Sequence, residues 1–282
     1  MTEMQTQTEI TIPLGELLDE AVAALAAADA PSPRPDAESI LATATGRDRP
    51  EPGSTVAPGL TSDEYDRFSA MLERRLHGEP LAYILGKSEF RYITLEVDPR
   101  VLIPRPETEM LVELAVELNP RSLLEIGTGS GAISLAVADE LPDCEITATD
   151  ISPDALAVAR ANAERLGLSD RIEFLETSLP GPGEYDLILT NLPYVGADDS
   201  LSTKLTRWEP GLAIVPGPTG LETIETVLRG LQPAGISAGA IGLEVGERQA
   251  NTVAGFLREG GFARTEIRND LAGIGRIVAG FA

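Results

Sequence analysis

Apolar residues at Leu14, Leu17, Leu18, Ala21, Val22 and Leu25 recur at helical spacing and predict one amphipathic helix, which the stretch from Pro31 to Pro35 ends. Ile40, Leu41 and Ala44 mark a second helix, and the segment from Pro50 to Pro58, rich in Pro and Gly, reads as a loop. A third helix is expected from Thr61, where Thr61-x-x-Glu64 has the form of a capping box ahead of Tyr65, Phe68, Met71 and Leu72. Together these segments predict a small helical bundle over residues 1–88.

Beyond Phe90 the period changes. Arg91 to Val97 alternates like a strand, and Val101 to Ile103 reads as its return, so a hairpin linker is expected over residues 89–108. From Glu109 onward, short apolar runs alternate with helical patterns. Ser122 to Ile126, Glu145 to Thr149, Ile172 to Leu175, Tyr185 to Thr190 and Ala240 to Val245 read as strands. Helices are expected between them, one from Pro153 to Leu166 capped by Ser152 and one from Leu221 to Leu231. The segments Arg264 to Arg268 and Gly275 to Ala279 follow as a closing pair. This alternation predicts an α/β domain over residues 109–282: a mostly parallel, Rossmann-like sheet with helices on both faces and an antiparallel last strand.

Charge narrows the functional classes. The 282 residues carry 45 Asp plus Glu against 22 Lys plus Arg, a formal net charge of -23. Broad electrostatic capture of nucleic acid is therefore not expected. No apolar run reaches the length that spans a bilayer, and the polar start MTEMQTQTEI lacks the basic and apolar regions of a secretory signal, so a cytoplasmic protein without membrane partners is expected. One cysteine, Cys144, and one histidine, His77, leave no internal disulfide and no Cys/His metal site to expect. His77, near a helix end, reads as a capping or surface residue, and Cys144 as an apolar filler.

Candidate chemistry begins at Leu123-Leu124-Glu125-Ile126-Gly127-Thr128-Gly129-Ser130-Gly131-Ala132, a strand entering a glycine-rich turn and then a helix. Glycines allow close backbone approach to a ligand, and the amides of a helix start offer hydrogen bonds. Asp150, at the end of the next strand, is placed to accept both hydroxyls of a ribose. The turn alone fits either a dinucleotide or S-adenosylmethionine. The tip of the fourth strand, Asn191-Leu192-Pro193-Tyr194, adds a polar amide and an aromatic ring at the carboxyl edge of the sheet. The Asn191 oxygen and a backbone carbonyl of the turn can each accept a hydrogen from a planar NH2 group, and Tyr194 can stack on that group.

This Asn-Leu-Pro-Tyr segment resembles the N-P-P-Y signature of methyltransferases acting on amide or exocyclic amino nitrogens. With Gly78 to Gly86, Glu89-Phe90, Leu102 to Glu109, Arg207-Trp208-Glu209-Pro210 and Asp270 to Ile274, the chain resembles the peptide chain release factor glutamine methyltransferases from about Leu14 to its end. The resemblance implies a class I S-adenosylmethionine-dependent methyltransferase domain and a helical bundle that recognises substrate. It implies methyl transfer to the side-chain amide nitrogen (N5) of the glutamine in the Gly-Gly-Gln (GGQ) motif of class I release factors. A monomer is expected, and on its net charge one that does not bind nucleic acid directly. Glu125, Gly127, Thr128, Gly129, Ser130, Gly131, Asp150, Ile151, Ser178, Leu179 and Asn191 are then the cofactor-binding residues. Asn191, Leu192, Pro193 and Tyr194 are the catalytic ones.

The chain departs from the family pattern twice. Leu192 stands where the first proline of N-P-P-Y is usual, but the function implied there is a backbone carbonyl, which leucine also carries. Ser178 and Leu179 stand in place of an Asp and an apolar or aromatic residue, which bears on cofactor affinity. The competing enzyme reading is an N6-adenine or other nucleic-acid amino methyltransferase, against which the net charge argues. A binding protein that has lost transfer and an NAD oxidoreductase are the remaining readings, and the latter leaves Asn191 to Tyr194 unexplained. Arg105 is expected to brace the domain junction or the cofactor pocket, and Trp208 to act in packing or on the substrate side.

Overall fold

The computed structural model describes residues 9–10, 14–47, 60–196, 206–214 and 217–282. The loop expected from Pro50 to Pro58 lies outside the described residues. The chain divides into two compact units, with the boundary between Gly86 and Lys87.

In the first unit, β1 (Glu9–Ile10) pairs antiparallel with β2 (Leu60–Thr61), and four helices surround one apolar core: α1 (Leu14–Ala27), α2 (Pro33–Thr45), α3 (Ser62–Leu76) and α4 (Leu81–Leu85). The apolar stripes meet as their spacing predicts: Leu17, Leu18, Ala21 and Leu25 of α1 pack with Ile40, Leu41 and Ala44 of α2 and with Phe68 of α3. The prolines that follow α1 open α2, because Pro33 occupies its first turn, where a missing N–H costs nothing. At α3 the capping box is complete: the Glu64 amide donates to Thr61 Oγ1 at 3.2 Å and the Thr61 amide donates to Glu64 Oε2 at 2.8 Å. His77 is the C-cap of α3, its backbone amide donating to Arg75 and Glu73 carbonyls. Helix α4, too short to show a period, is capped by Pro80 and a left-handed Gly86.

The second unit opens with a hairpin of β3 (Lys87–Phe90) and β4 (Ile93–Glu96), joined by Arg91-Tyr92 with Arg91 at φ 52. The return strand expected at Val101 to Ile103 does not form. The partner lies on the N-terminal side, and Val101 and Ile103 are buried outside any ladder, with the Ile103 amide donating to a carboxylate, Glu209 Oε2, at 3.2 Å. Helix α5 (Glu109–Leu118) then leads into β5 (Ser122–Ile126), α6 (Ala132–Glu140), β6 (Glu145–Asp150), α7 (Pro153–Leu166), β7 (Ile172–Glu176), β8 (Gly183–Thr190), α8 (Glu222–Leu231), β9 (Ile236–Glu244), α9 (Ala250–Glu259), β10 (Arg264–Asn269) and β11 (Gly275–Phe281).

The sheet order is β10-β11-β9-β8-β5-β6-β7, parallel except for β11, which runs antiparallel to both its neighbours. The antiparallel last strand is thus inserted beside β9, between it and β10. Crossovers through α6 and α7 step outward from β5 in one direction, and the α8 crossover steps outward from β8 in the other. Right-handed connections therefore put α8 on the opposite face from α6 and α7, giving helices on both faces. The reversal leaves a crevice at the carboxyl ends of β5 and β8, where α/β sheets bind ligands.

Candidate active site

The turn from Gly127 to Gly131 fills one side of that crevice. Thr149 O of β6 accepts from the Gly127 amide at 2.8 Å and the Thr128 amide at 2.9 Å, and Thr128 O accepts from the Gly131 amide at 2.8 Å. Gly127 and Gly131 have φ 77 and 84, in the left-handed region that side chains disfavour. A Cβ at Gly127 would lie 3.2 Å from Leu192 Cδ2, and one at Gly131 would lie 2.8 Å from Leu135 Cδ1. At Gly129, by contrast, a Cβ would meet open space, so the backbone there is accessible to a ligand.

Glu125, at the end of β5, is fully buried beneath the turn. Its Oε2 accepts from Thr128 Oγ1 at 2.7 Å, from the Ser134 amide at 3.1 Å and from Ser134 Oγ. Burial pushes this carboxyl up to about 7 against the opposing hydrogen bonds of Ser134 and Thr128. Its observed contacts brace the turn and the start of α6. Asp150 closes the turn from the β6 side: Oδ2 accepts from the Gly129 amide and Oδ1 from the Ser152 amide, both at 2.9 Å. Each oxygen has a lone pair left for a further donor.

These residues line a cavity of about 480 Å³, within the size range of small-molecule sites. Gly127, Thr128, Gly129, Ser130, Asp150, Ile151, Ser178, Asn191, Leu192 and Pro193 lie on its wall, as does Glu125. Ile151 is an exposed apolar side chain at the cavity. Gly131 stands behind the wall as the N-cap of α6. Leu179 is placed elsewhere: its side chain packs over Gly230 of α8 and joins the core under the sheet. An apolar residue one step past Ser178 is drawn to that core because Gly230 leaves room for it.

At the tip of β8, the pairing of Thr190 with Leu243 brings Asn191 beside Glu244 at the end of β9. Asn191 Nδ2 donates to Glu244 Oε2 and to Thr108 Oγ1, both at 3.0 Å. Thr108 Oγ1 in turn donates to Glu244 Oε2 at 2.6 Å, and the Tyr194 hydroxyl donates to Glu244 Oε1 at 2.8 Å. Tyr194 is therefore turned toward this carboxylate, with its ring at Gly246, and is not among the residues that line the cavity. Its hydroxyl finds a charge-assisted acceptor there, which outweighs exposure at the cavity. Burial, followed by the Glu244 charge, pushes the Tyr194 phenol up, so it stays a donor. Burial likewise pushes the Glu244 carboxyl up, opposed by the hydrogen bonds from Thr108 and Tyr194.

Glu244 and Thr108 have no place among the sequence-predicted site residues. One signal was available: a carboxylate inside the apolar run from Ala240 to Val245, at the carboxyl end of a central strand. Arg105 braces as expected. Its Nη2 donates to the buried Glu209 Oε1 at 2.5 Å, tying the segment around Trp208 to the cavity wall. Trp208 is half-buried under the Arg207 guanidinium, 5.3 Å from its ring centroid. Cys144 is buried, and burial pushes its thiol up to about 11. Among the described residues no helix is long and apolar enough to cross a membrane.

Residues 16–86 match the family described as PrmC N-terminal domain, and residues 106–207 match the family described as Methyltransferase small domain. A curated relative from Koribacter versatilis is 38% identical over 279 residues, covering 95% of this chain and 98% of its own, and is called Release factor glutamine methyltransferase. Relatives of the same name from Salmonella typhimurium and Escherichia coli are 38% and 36% identical, covering 89% and 93% of this chain and 93% and 96% of theirs. Among solved structures, the hMettl16 catalytic domain in complex with MAT2A 3'UTR hairpin 6 shares the fold at a TM-score of 0.53 and 17% identity, over 66% of this chain and 74% of its own. A methyltransferase from Pyrococcus furiosus does so at 0.50 and 18%, over 66% and 87%.

Proposed function

The chain belongs to the release factor glutamine methyltransferases, and from that premise we propose that it transfers a methyl group from S-adenosylmethionine to the side-chain amide nitrogen of the glutamine in the GGQ motif of class I release factors. The observation that carries the reading is Asn191 on the wall of the same cavity as the glycine turn and Asp150. One group receives an NH2, and the others suit a nucleoside.

The donor set fits the cofactor. Gly127 to Gly131 hold its methionine part, the open approach at Gly129 admits it, and Asp150 takes the ribose hydroxyls with the lone pairs its backbone bonds leave. Ile151 and Ser178 face the adenine. When bound, S-adenosylmethionine would supply an electrophilic methyl on sulfur to the amide nitrogen, with S-adenosylhomocysteine as leaving group and the surplus amide proton lost to solvent. An amide nitrogen is a poor nucleophile because its lone pair is delocalised. Asn191 Oδ1 and the Leu192 carbonyl each accept one amide hydrogen and hold the nitrogen in line with the methyl, so positioning provides most of the catalysis. Leu192 serves as well as proline, because the part used is backbone and Pro193 keeps Leu192 extended. Tyr194 acts through its bond to Glu244 rather than as a stacking platform.

In this reading the helical unit recognises the release factor, the enzyme works as a monomer in the cytoplasm, and nucleic acid is not a substrate. Labelled methyl offered with a release factor and a structured RNA together tests this. Label on the release factor, absent when its GGQ glutamine is replaced by alanine, supports the reading; label on the RNA favours amino methylation of nucleic acid.

A further inference from the structure

Only one orientation of the Asn191 amide suits methyl transfer as described above, with Oδ1 toward the cavity. Nothing in Asn191 itself selects it, since the two ends of the amide have nearly the same shape. The selection comes from its neighbours. Asn191 Nδ2 lies 3.0 Å from Glu244 Oε2, which is off the cavity wall, and 3.0 Å from Oγ1 of Thr108, itself a cavity-lining residue. The Thr108 hydroxyl donates its hydrogen to Glu244 Oε2, at 2.6 Å. Both oxygens therefore have only lone pairs to turn toward Asn191. A flipped amide would set Oδ1 against two acceptors, one of them a fully buried carboxyl. The other carboxyl oxygen is occupied by the Tyr194 hydroxyl, so Glu244 is itself held in place.

We infer that Glu244 is a positioning residue for the reaction. With Thr108 it fixes Asn191 so that an acceptor, and only an acceptor, meets the substrate. The same device favours an amide over a carboxylate, because a glutamate side chain would bring no hydrogen to Oδ1. This inference rests on the functional reading above.

Three variants and two readouts test it. Glu244→Leu frees the amide to flip and is expected to lower kcat about 100-fold, the loss typical of a misplaced reacting group, while the cofactor Kd stays at the wild-type value. Thr108→Val removes one acceptor, and about tenfold is expected, the upper end of what one hydrogen bond contributes. In Glu244→Gln the new carboxamide oxygen can face Asn191 while its NH2 donates to the Tyr194 oxygen, so most of kcat should return. The second readout needs no turnover: the Asn191 side-chain NH2, assigned by nitrogen-15 NMR, should exchange slowly in wild type and in Glu244→Gln and fast in Glu244→Leu. Wild-type kcat in both Glu244→Leu and Thr108→Val, or equal losses in Glu244→Leu and Glu244→Gln, overturns the inference. If wild type methylates no release factor, the functional reading fails on its own, and the exchange rates still decide whether Glu244 holds the amide.

Discussion

Asp150→Asn separates two functions that one carboxylate performs. Its oxygens accept from the Gly129 and Ser152 amides at 2.9 Å each, and in the functional reading their remaining lone pairs accept the ribose hydroxyls. Asparagine keeps the shape but replaces one acceptor with an NH2, which must face an N–H. One backbone amide then loses its partner, at a cost of about 1–3 kcal/mol, with the lower end applying because Asp150 is only partly buried. One charge-assisted bond to the ribose is lost as well, about 1.5–3 kcal/mol, which weakens cofactor binding by roughly 10- to 150-fold. Calorimetric titration with S-adenosylhomocysteine reads the second effect, and urea unfolding of the free protein reads the first. A variant that binds with wild-type affinity would refute the ribose assignment, even if its stability fell. A variant of wild-type stability would show that the two backbone bonds do not hold the turn.

Three further outcomes follow from the same geometry. Gly131→Ala should destabilise by about 2–4 kcal/mol in chemical denaturation, since it combines a left-handed φ of 84 with a Cβ 2.8 Å from the fully buried Leu135; an unchanged midpoint would contradict the close packing. Glu125 is raised from its ordinary value of 4.5 to about 7 by burial, so the folded state binds its proton more tightly than the unfolded state, and stability falls as pH rises from about 4.5 to about 7. Urea unfolding between pH 4.5 and 8 should show wild type losing about 3 kcal/mol relative to Glu125→Gln, and parallel curves would remove the shift. Leu192→Pro should leave the methyl-transfer rate close to wild type because the part used is a carbonyl; a large gain in rate would show that leucine compromises the site.

Local physics made much of this molecule readable in advance. Short apolar runs bounded by turn residues located β5 and its parallel neighbours, and the capping residues Thr61 and Ser152 set the starts of α3 and α7. The glycine turn and Asp150 were legible because each needs only its own backbone geometry. What escaped depends on contacts distant in sequence. Thr108 and Glu244 meet across the sheet edge, and the carboxylate inside the apolar run of β9 was the one local signal of it. Tyr194 was read from its position on the strand tip, whereas a buried carboxyl decides where its hydroxyl goes. Leu179 follows the space left by Gly230, which no local pattern reveals. The hairpin partner of β4 was sought downstream because Val101 to Ile103 are apolar. Their burial comes instead from irregular backbone held by Glu209.

The central claim is most directly tested by peptide mass spectrometry of a class I release factor after incubation with this protein and S-adenosylmethionine. The account predicts a gain of one CH2 unit on the glutamine of the GGQ motif, absent without the cofactor and absent with Asn191→Ala. A gain on any other residue, or an unmodified glutamine under conditions where the cofactor binds, would contradict it.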